Sequence, residues 1–519
     1  MNQSGGRPGT LLYADSFVAL ETALWREVRS VRQDEPLAPV VVLVPTSLLR
    51  RHLLAEGARQ GGILNVHIVT LHALAAALGG PGLARAGRAP LSRPGRELVA
   101  RAVCRSTPAG YYAALADRPG FHRALLATLD DLKESAVSPA DLDGAAGRLE
   151  PADASWSQRV RDLARLWGAC EDRMAARGLH DDSDLLAASA EAAKSDPWLG
   201  RAARFIVYGF YDLNPLQRRL VAACAACCTS CVLFPAAPEA PAFAYAGPTF
   251  DWFVSQGFEP RGAASDACPL PSGLRALRSA LFAAPGDAAG AEGVRIVSAP
   301  DEAREVRAVM GAALAQARAG APLPRIGVLM RHASSYAERF VDECESGGLA
   351  AYHHDPPPLS TTQAGKSLLL LLHLLDGDLA RADVMEFITS ADIPFERLVG
   401  AEVSSADWDL LSIEAGVVKG RGEWEARLDA HGRLLTERVR RGTAAQEKLE
   451  ALERLTTFME RWLTALEAVP TSGTWADVVD AALDLFEEFV SAGDDRDAVA
   501  AAVRELRTLD VTGEPADLA

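Results

Sequence analysis

The sequence predicts an α/β protein built on parallel sheets with large helical insertions. Three observations carry that class. Short, unalternating apolar runs are each followed by a helix-patterned stretch, as strands buried on both faces of a covered parallel sheet require. The alternation vanishes from about Leu91 to Leu199 and then returns at Phe205. Ala, Leu and Arg dominate while aromatic residues make up only 6%, the profile of helices packed through small side chains.

The first strand is Thr10 to Ala14, stopping at Asp15-Ser16 before an amphipathic helix from Phe17 to Val31, where Val18, Leu20, Leu24 and Val28 recur at helical spacing. Val40 to Val44 (VVVLV) is the second strand, ending in Pro45-Thr46-Ser47 and the helix LLRRHLLAEGARQ. Val66 to Val69 is the third, ending at Thr70 with LHALAAAL behind it. The stretches ELVARAVCRS, FHRALLATLDDLKESA, SQRVRDLARLWGACEDRMAARG and SDLLAASAEAAK read as helices of an insertion about a hundred residues long, a typical domain size. Strands resume at Phe205 to Val207 and Cys231 to Phe234, with YGFYDLNPLQRRLVAACAACC between them as loop and helix. Residues 235 to 292, rich in Pro, Gly and Ala, read as a linker with an edge element or a loop. A second α/β unit is expected from strands at Val294 to Val297 and Ile326 to Met330 and helices at Glu302 to Arg318, Ala337 to Cys344 and Lys366 to Leu375. The turn Gly347-Gly348 and the proline run Pro356 to Pro358 punctuate it. Beyond Arg381 the pattern is helical, with Trp408, Trp424 and Trp462 as packing anchors.

Charge and composition bound the function. With 53 Lys+Arg against 69 Asp+Glu the chain carries −16, which excludes a basic nucleic-acid coat and confines any contact with phosphate to a local groove. The polar start and the short apolar runs predict no signal peptide and no membrane span, so a cytoplasmic protein is expected, with its eight cysteines reduced.

The cysteines crowd at Cys224, Cys227, Cys228 and Cys231, two CxxC pairs that could supply thiolates to zinc or an iron–sulfur cluster. An Ala-rich helix with Cys as a small buried hydrophobe is the stronger reading, and no metal is expected. No Walker loop follows any strand. Gly365-Lys366-Ser367 ends like one, but Ser360 stands where Gly is needed, and a helix start explains it. GGRPGT precedes the first strand rather than following it. Asp131-Leu132-Lys133 has a nuclease-like spacing but lies inside an amphipathic helix, and Asp181, Asp182 and Asp184 read as another helix start. What remains are polar groups at strand ends, where open α/β sheets bind ligands: Thr46, Ser47, Thr70 and His72, then Arg331 and His332. Thr70 and Ser47 are equally good helix N-caps, and Arg50 and Arg51 fit a solvated helix face.

In order and spacing, VVVLVPTSLLRRHLL, VHIVTLHALAAAL, RFIVYGFYDLNPLQRRL, VRIVSAPDEAREVRAVM, PRIGVLMRHASSYAERF and PPPLSTTQAGKSLLLLLHLLDGDLARADVMEFITS resemble the AddB/RecC family. These are helicase-like subunits of bacterial double-strand-break repair helicase–nucleases, related to UvrD-like helicases. The resemblance implies RecA-like, P-loop-type sheets with a degenerate nucleotide site. Residues 1–85 and 200–290 would form the first RecA-like domain around an insertion at 86–199. Residues 291–378 would begin the second, and 379–519 would be its insertion, left incomplete in an amino-terminal part of a longer protein. It implies DNA contact by Thr46, Ser47, Arg50, Thr70 and His72. It also implies a nucleotide site at Asp15, Tyr208, Asp212 and Arg331, the last closing the strand Ile326 to Met330.

Departures from the family pattern decide the expected activity. The Walker lysine is missing, and Tyr208 stands where related proteins often have Asp, so magnesium and ATP have no evident cradle. Asp212, four residues on, does not replace it. The PD-(D/E)XK nuclease domain of the AddB branch has no counterpart in the 519 residues. The expectation is a non-motor, DNA-binding subunit or fragment of a recombinational-repair helicase–exonuclease. It would need no cofactor of its own, and its partners would be single-stranded or duplex-end DNA and a motor helicase–nuclease subunit. An active two-domain nucleotide-dependent enzyme and a protein-interaction scaffold that touches no DNA are the alternatives.

Overall fold

Five branched apolar residues in a row, Val40–Val44, leave no polar side for water, so the segment must be covered on both faces. In the computed structural model all five are buried. The structure describes residues 9–107, 109–237, 240–263, 271–282, 292–354, 358–442 and 445–517, so GGRPGT up to Pro8, and Pro356 and Pro357 of the proline run, lie outside the described residues. The chain divides into two compact units, Met1–Ser298 and Ala299–Ala519.

The first unit opens with β1 (Gly9–Ala14), α1 (Phe17–Asp34), β2 (Val40–Val44), α2 (Ser47–Arg59), β3 (Val66–Thr70) and α3 (Leu71–Arg85). Helices then replace strands apart from a two-residue ladder, β4 (Ala89–Pro90) with β5 (Leu179–His180). They are α4 (Arg93–Ser106), α5 (Pro119–Glu134), α6 (Pro139–Leu149), α7 (Ala154–Ala176), α8 (Asp182–Ala193) and the short α9 (Pro197–Gly200). The sheet resumes with β6 (Arg204–Tyr208), α10 (Pro215–Cys227), β7 (Ser230–Pro235), α11 (Gly247–Ser255) and β8 (Phe258–Gly262), and α12 (Ser272–Ala280) follows. Six strands form one sheet in the order β3-β2-β6-β7-β1-β8, every pair parallel. All six therefore point their carboxyl ends to one edge. The region read as a linker contributes β8, an edge strand beside β1.

Alternate residues of each strand enter two cores. Val40, Val42, Val44, Ile206 and Tyr208 pack with Leu20, Leu24, Trp25 and Leu53 of α1 and α2. Val41, Leu43, Phe205 and Val207 pack with Leu74, Leu78, Leu185 and Leu220 of α3, α8 and α10. Each such side chain contributes about 1.5–3 kcal/mol by leaving water. A third core, around Val99, Leu125, Leu166, Trp167 and Cys170, joins α4, α5 and α7.

In the second unit, α13 (Glu302–Arg318) and α14 (Ala333–Ser346) precede α15 (Gln363–Asp376), α16 (Arg381–Ser390), α17 (Phe395–Val399), α18 (Ser405–Ala415), α19 (Arg421–Arg440), α20 (Gln446–Ala468), α21 (Trp475–Phe489) and α22 (Asp494–Arg504). Trp408, Trp424 and Trp462 are buried in one core with Phe387, which stacks on Trp462 at 5.6 Å. Lys366 lies in the first turn of a helix rather than in a phosphate loop: Thr362 caps α15 by accepting from the Gly365 N–H at 3.1 Å. Gly365 is there for closeness, since a Cβ would clash with the Leu359 carbonyl oxygen.

One expectation needs correction. Val294 to Val297 and Ile326 to Met330 are not strands: neither is paired into a ladder, and Ile296 and Leu329 are 94% and 95% exposed. An apolar run becomes a buried strand only when neighbouring strands take up its N–H and C=O groups, and neither run has such a neighbour among the described residues. The stretch expected to begin the second sheet therefore has its helices, α13 and α14, without its strands.

Candidate nucleic-acid interface and degenerate nucleotide edge

The carboxyl edge of the sheet gathers most of the sequence-derived candidates. β2 and β3 are neighbours in register, with Val44 opposite Thr70, so the turns that follow them lie side by side. Thr46 caps α2, its Oγ1 accepting from the Leu49 N–H at 3.2 Å, and Thr70 caps α3 by accepting from the Ala73 N–H at 3.3 Å. Capping uses a lone pair of each hydroxyl and leaves its hydrogen to donate outward. Ser47 is exposed at the first position of α2. Arg50 is tied across the pair of strands, its Nε donating to the Ile68 carbonyl at 2.9 Å. The exposed His72 has its Nδ1 3.8 Å from Asp182 of α8. Two helix N-termini, three hydroxyls and a guanidinium thus share this corner, where an anion would be favoured.

The β1 corner is different. Asp15 follows β1 and is held by Arg278 of α12 at 2.7 Å. Only Asp15 and Ser16 separate β1 from α1, and the helix opens with Phe17 and Val18, 51% and 55% exposed. Ser16 makes no side-chain cap bond. Tyr208 ends β6 inside the core, where burial pushes its phenol well above the usual range and nearby Glu21 adds to the shift. Gly209 takes a positive φ of 81°, and a Cβ there would meet Leu49, Phe17 and Pro45 at 3.2, 3.8 and 3.9 Å. Asp212 is exposed in the loop beyond. Magnesium and nucleotide would thus meet a carboxylate already paired, two apolar side chains and a buried phenol. These residues do not fit that pair of ligands.

Arg331 belongs to the second unit and is exposed, and the segment before it is the unpaired run corrected above. The structure does not gather the four cysteine thiols at one point. Cys224 and Cys228 lie in the core on one sheet face and Cys231 in the core on the other. Cys227 donates to the Ala193 and Ala223 carbonyls at 3.0 and 3.2 Å. Burial pushes the Cys231 thiol up to about 12 and the Cys224 thiol higher, away from the thiolate that a metal needs. No group of three metal-ligating side chains occurs among the described residues. The Asp131-Lys133 spacing does not make a site: Asp131 is exposed, whereas Lys133 turns inward to pair with Glu171 and Asp181 at 2.6 Å each, and Arg96 pairs with Asp130. Asp181 also caps α8 in a reciprocal capping box with Asp184.

Sequence reading missed several groups at the carboxyl edge. Tyr211 and Tyr245 meet edge to face at 5.3 Å and are 46% and 59% exposed. The aromatic-rich loop YGFYDLN was the available signal for Tyr211. Asn214, in the same loop, caps α10 and donates through Nδ2 to Glu134 of α5 at 3.0 Å. That bond links the helical segment to the strand-end loops.

A six-stranded parallel sheet covered by helices, with a helical segment between β3 and β6, defines the class: an α/β protein with a RecA-like fold and helical insertions. Residues 20–238 match the family described as ADDB, N-terminal. Over 209 residues the chain is 28% identical to the B subunit of the ATP-dependent helicase/deoxyribonuclease of Moorella thermoacetica, a stretch covering 38% of this chain and 18% of that relative. Residues 20–238 are therefore similar to an AddB amino-terminal domain, and the chain spans less than a fifth of the length of that relative. No helix among the described residues is long and apolar enough to cross a membrane.

Proposed function

We propose that this chain is a helicase-like subunit, or part of one, that holds single-stranded DNA and does not hydrolyse ATP, within a helicase–nuclease that processes broken DNA ends in recombinational repair. One observation carries the reading: the carboxyl edge of the sheet is divided. Its β2–β3 corner presents Thr46, Ser47, Arg50 and Thr70 beside two helix N-termini, whereas its β1 corner offers Asp15, Phe17 and Val18 where phosphate would need amides and a lysine. The first corner suits a phosphodiester backbone, contacted without regard to sequence. The second offers a triphosphate only a paired carboxylate and apolar side chains.

In this reading residues 1–85 and 200–290 are one RecA-like domain, 86–199 its insertion, 291–378 the start of a second such domain and 379–519 a second insertion. The Moorella relative is named as one subunit of a helicase/deoxyribonuclease, which supports a partner subunit that would supply the motor. A cytoplasmic setting goes with that role. The test is binding of a labelled oligonucleotide followed by anisotropy, with and without MgATP. Thr70→Ala and Thr46→Ala should each weaken binding by about two- to tenfold, one hydrogen bond's worth, and MgATP should change nothing. Saturable MgATP binding by calorimetry refutes the inactive motor. Failure of the chain to bind any oligonucleotide refutes the DNA-holding role.

A further inference from the structure

We propose that Trp156, Arg159 and Tyr111 form a stacking platform for unpaired bases of single-stranded DNA, a contact separate from the strand-end corner. The inference rests on the DNA-holding role proposed above and adds where the bases, rather than the phosphates, are received. The Arg159 guanidinium carbon lies 4.4 Å from the Tyr111 ring centroid and 5.0 Å from that of Trp156. The row continues inward from Tyr111 to Tyr112 at 4.9 Å, edge to face, and from Tyr112 to Phe121 at 5.3 Å, stacked. In a chain with only 6% aromatic residues, four rings and a cation stand in one series. Its outer rings remain open to solvent, Trp156 at 55% and Tyr111 at 47%.

The platform is held in shape before anything binds. Trp156 and Arg159 are three residues apart and share a face of the first turns of α7. Tyr111 is fixed from below by buried Asp162, which accepts its N–H at 2.9 Å. That bond holds the Tyr111 backbone, and the ring itself packs against Arg159 and Tyr112, so little freedom is lost on binding. The nearby carboxylates are engaged: Asp162 by Tyr111, Gln158 and Arg165, Glu150 by Arg161, and Asp153 by capping α7. A part-buried guanidinium, its Nε without a hydrogen-bond partner among the described residues, thus stands between two rings near the positive end of a 23-residue helix in a protein of net charge −16. A cation set between two solvent-exposed rings suits a ligand that is both anionic and aromatic, which is single-stranded nucleic acid. The location agrees. Helix α5 carries Phe121 near one end and Glu134, bonded to Asn214 of the strand-end loop, at the other, about 20 Å along its axis.

The 519-residue chain is titrated with labelled oligo-dT and with an abasic strand of the same length and charge. Trp156→Leu, which keeps apolar bulk without a π face, should weaken oligo-dT binding about fivefold or more, as should Tyr111→Ala; neither should alter abasic binding, and Trp156→Phe should restore affinity. Thr70→Ala should weaken both strands. Oligo-dT binding unchanged in Trp156→Leu and Tyr111→Ala, with Thr70→Ala still weakened, overturns the platform and leaves the DNA-holding role standing. An equal loss on both strands also overturns it, because the platform would then contact the backbone. Absence of binding by the wild-type chain overturns both.

Discussion

Asp162 is the residue on which the α7 surface turns. Its side chain is fully buried and accepts from the Tyr111 N–H, the Gln158 amide and the Arg165 guanidinium at 2.9, 2.9 and 3.0 Å. Asp162→Ala removes the acceptor shared by the Tyr111 N–H, the Gln158 amide and the Arg165 guanidinium and should cost about 1–3 kcal/mol. Urea unfolding should show it as a lower midpoint at unchanged slope, and a midpoint equal to wild type contradicts the assigned role. No sequence pattern announces this residue: it lies inside the amphipathic stretch SQRVRDLARLWG, where Asp reads as solvated face. Thr70 was legible as a cap because its position is local, a hydroxyl between an apolar strand and a helix; at α2 the cap is Thr46, one residue before the expected Ser47, because the helix already begins at Ser47. Arg159 was not legible, since its partner Tyr111 is 48 residues away and meets it only through the fold.

At the scale of elements, what the sequence revealed depended on how much of each element's environment it carries with it. The strands β1, β2, β3, β6 and β7 were readable as short apolar runs, because burial on both faces needs no alternation. The same logic misled at Val294 to Val297 and Ile326 to Met330, where the runs are equally apolar but no neighbouring strand completes the ladder among the described residues. Strand order was not legible at all, as the pairing of β2 with β6 spans the whole helical segment. The helix–strand pair α10 and β7 shows how a motif dissolves once elements are placed. Alternation along β7 sends Cys231 to the sheet face opposite Cys224 and Cys228, so a compact spacing becomes two cores. Native alkylation at pH 8 should therefore label Cys224 and Cys231 far more slowly than after denaturation, because burial disfavours the thiolate, and EDTA should leave Tm unchanged. Rapid native labelling of either thiol, or a fall in Tm on chelation, contradicts the placement.

For the whole molecule, the acidic balance of −16 acts against a small number of buried ion pairs, and pH separates the two. Asp181 and Lys133 meet at 2.6 Å with side-chain exposures of 1% and 11%, and Glu171 and Arg96 face the same pair. Burial alone would raise the Asp181 carboxyl. The charge and hydrogen bond of Lys133, the Asp184 N–H and the charge of Arg96 outweigh it and hold the carboxyl below the usual range. Burial likewise opposes the Lys133 charge, and Asp181 and Glu171 reverse it, so the ammonium is held above its usual range. The signs then follow. A depressed carboxyl stabilises fully above its unfolded value, about 3.9, and that contribution is lost as pH falls through the lower folded value. A raised ammonium stabilises fully below about 10.4 and is lost as pH rises through the higher folded value. The pair thus holds α5, α7 and α8 together across the neutral range and releases them at both extremes. Asp181→Asn keeps an N-cap for α8 while removing the charge, which isolates the electrostatic part. That variant should be about 1.5–3 kcal/mol less stable at pH 7, the worth of one charged hydrogen bond, because Lys133 keeps Glu171 at 2.6 Å. The deficit should shrink as pH falls below about 4, where wild type loses the same interaction. Stability measured from pH 7 down to pH 3 decides the matter: converging curves support the pair as a pH-dependent clamp, whereas curves that stay parallel assign the loss to packing.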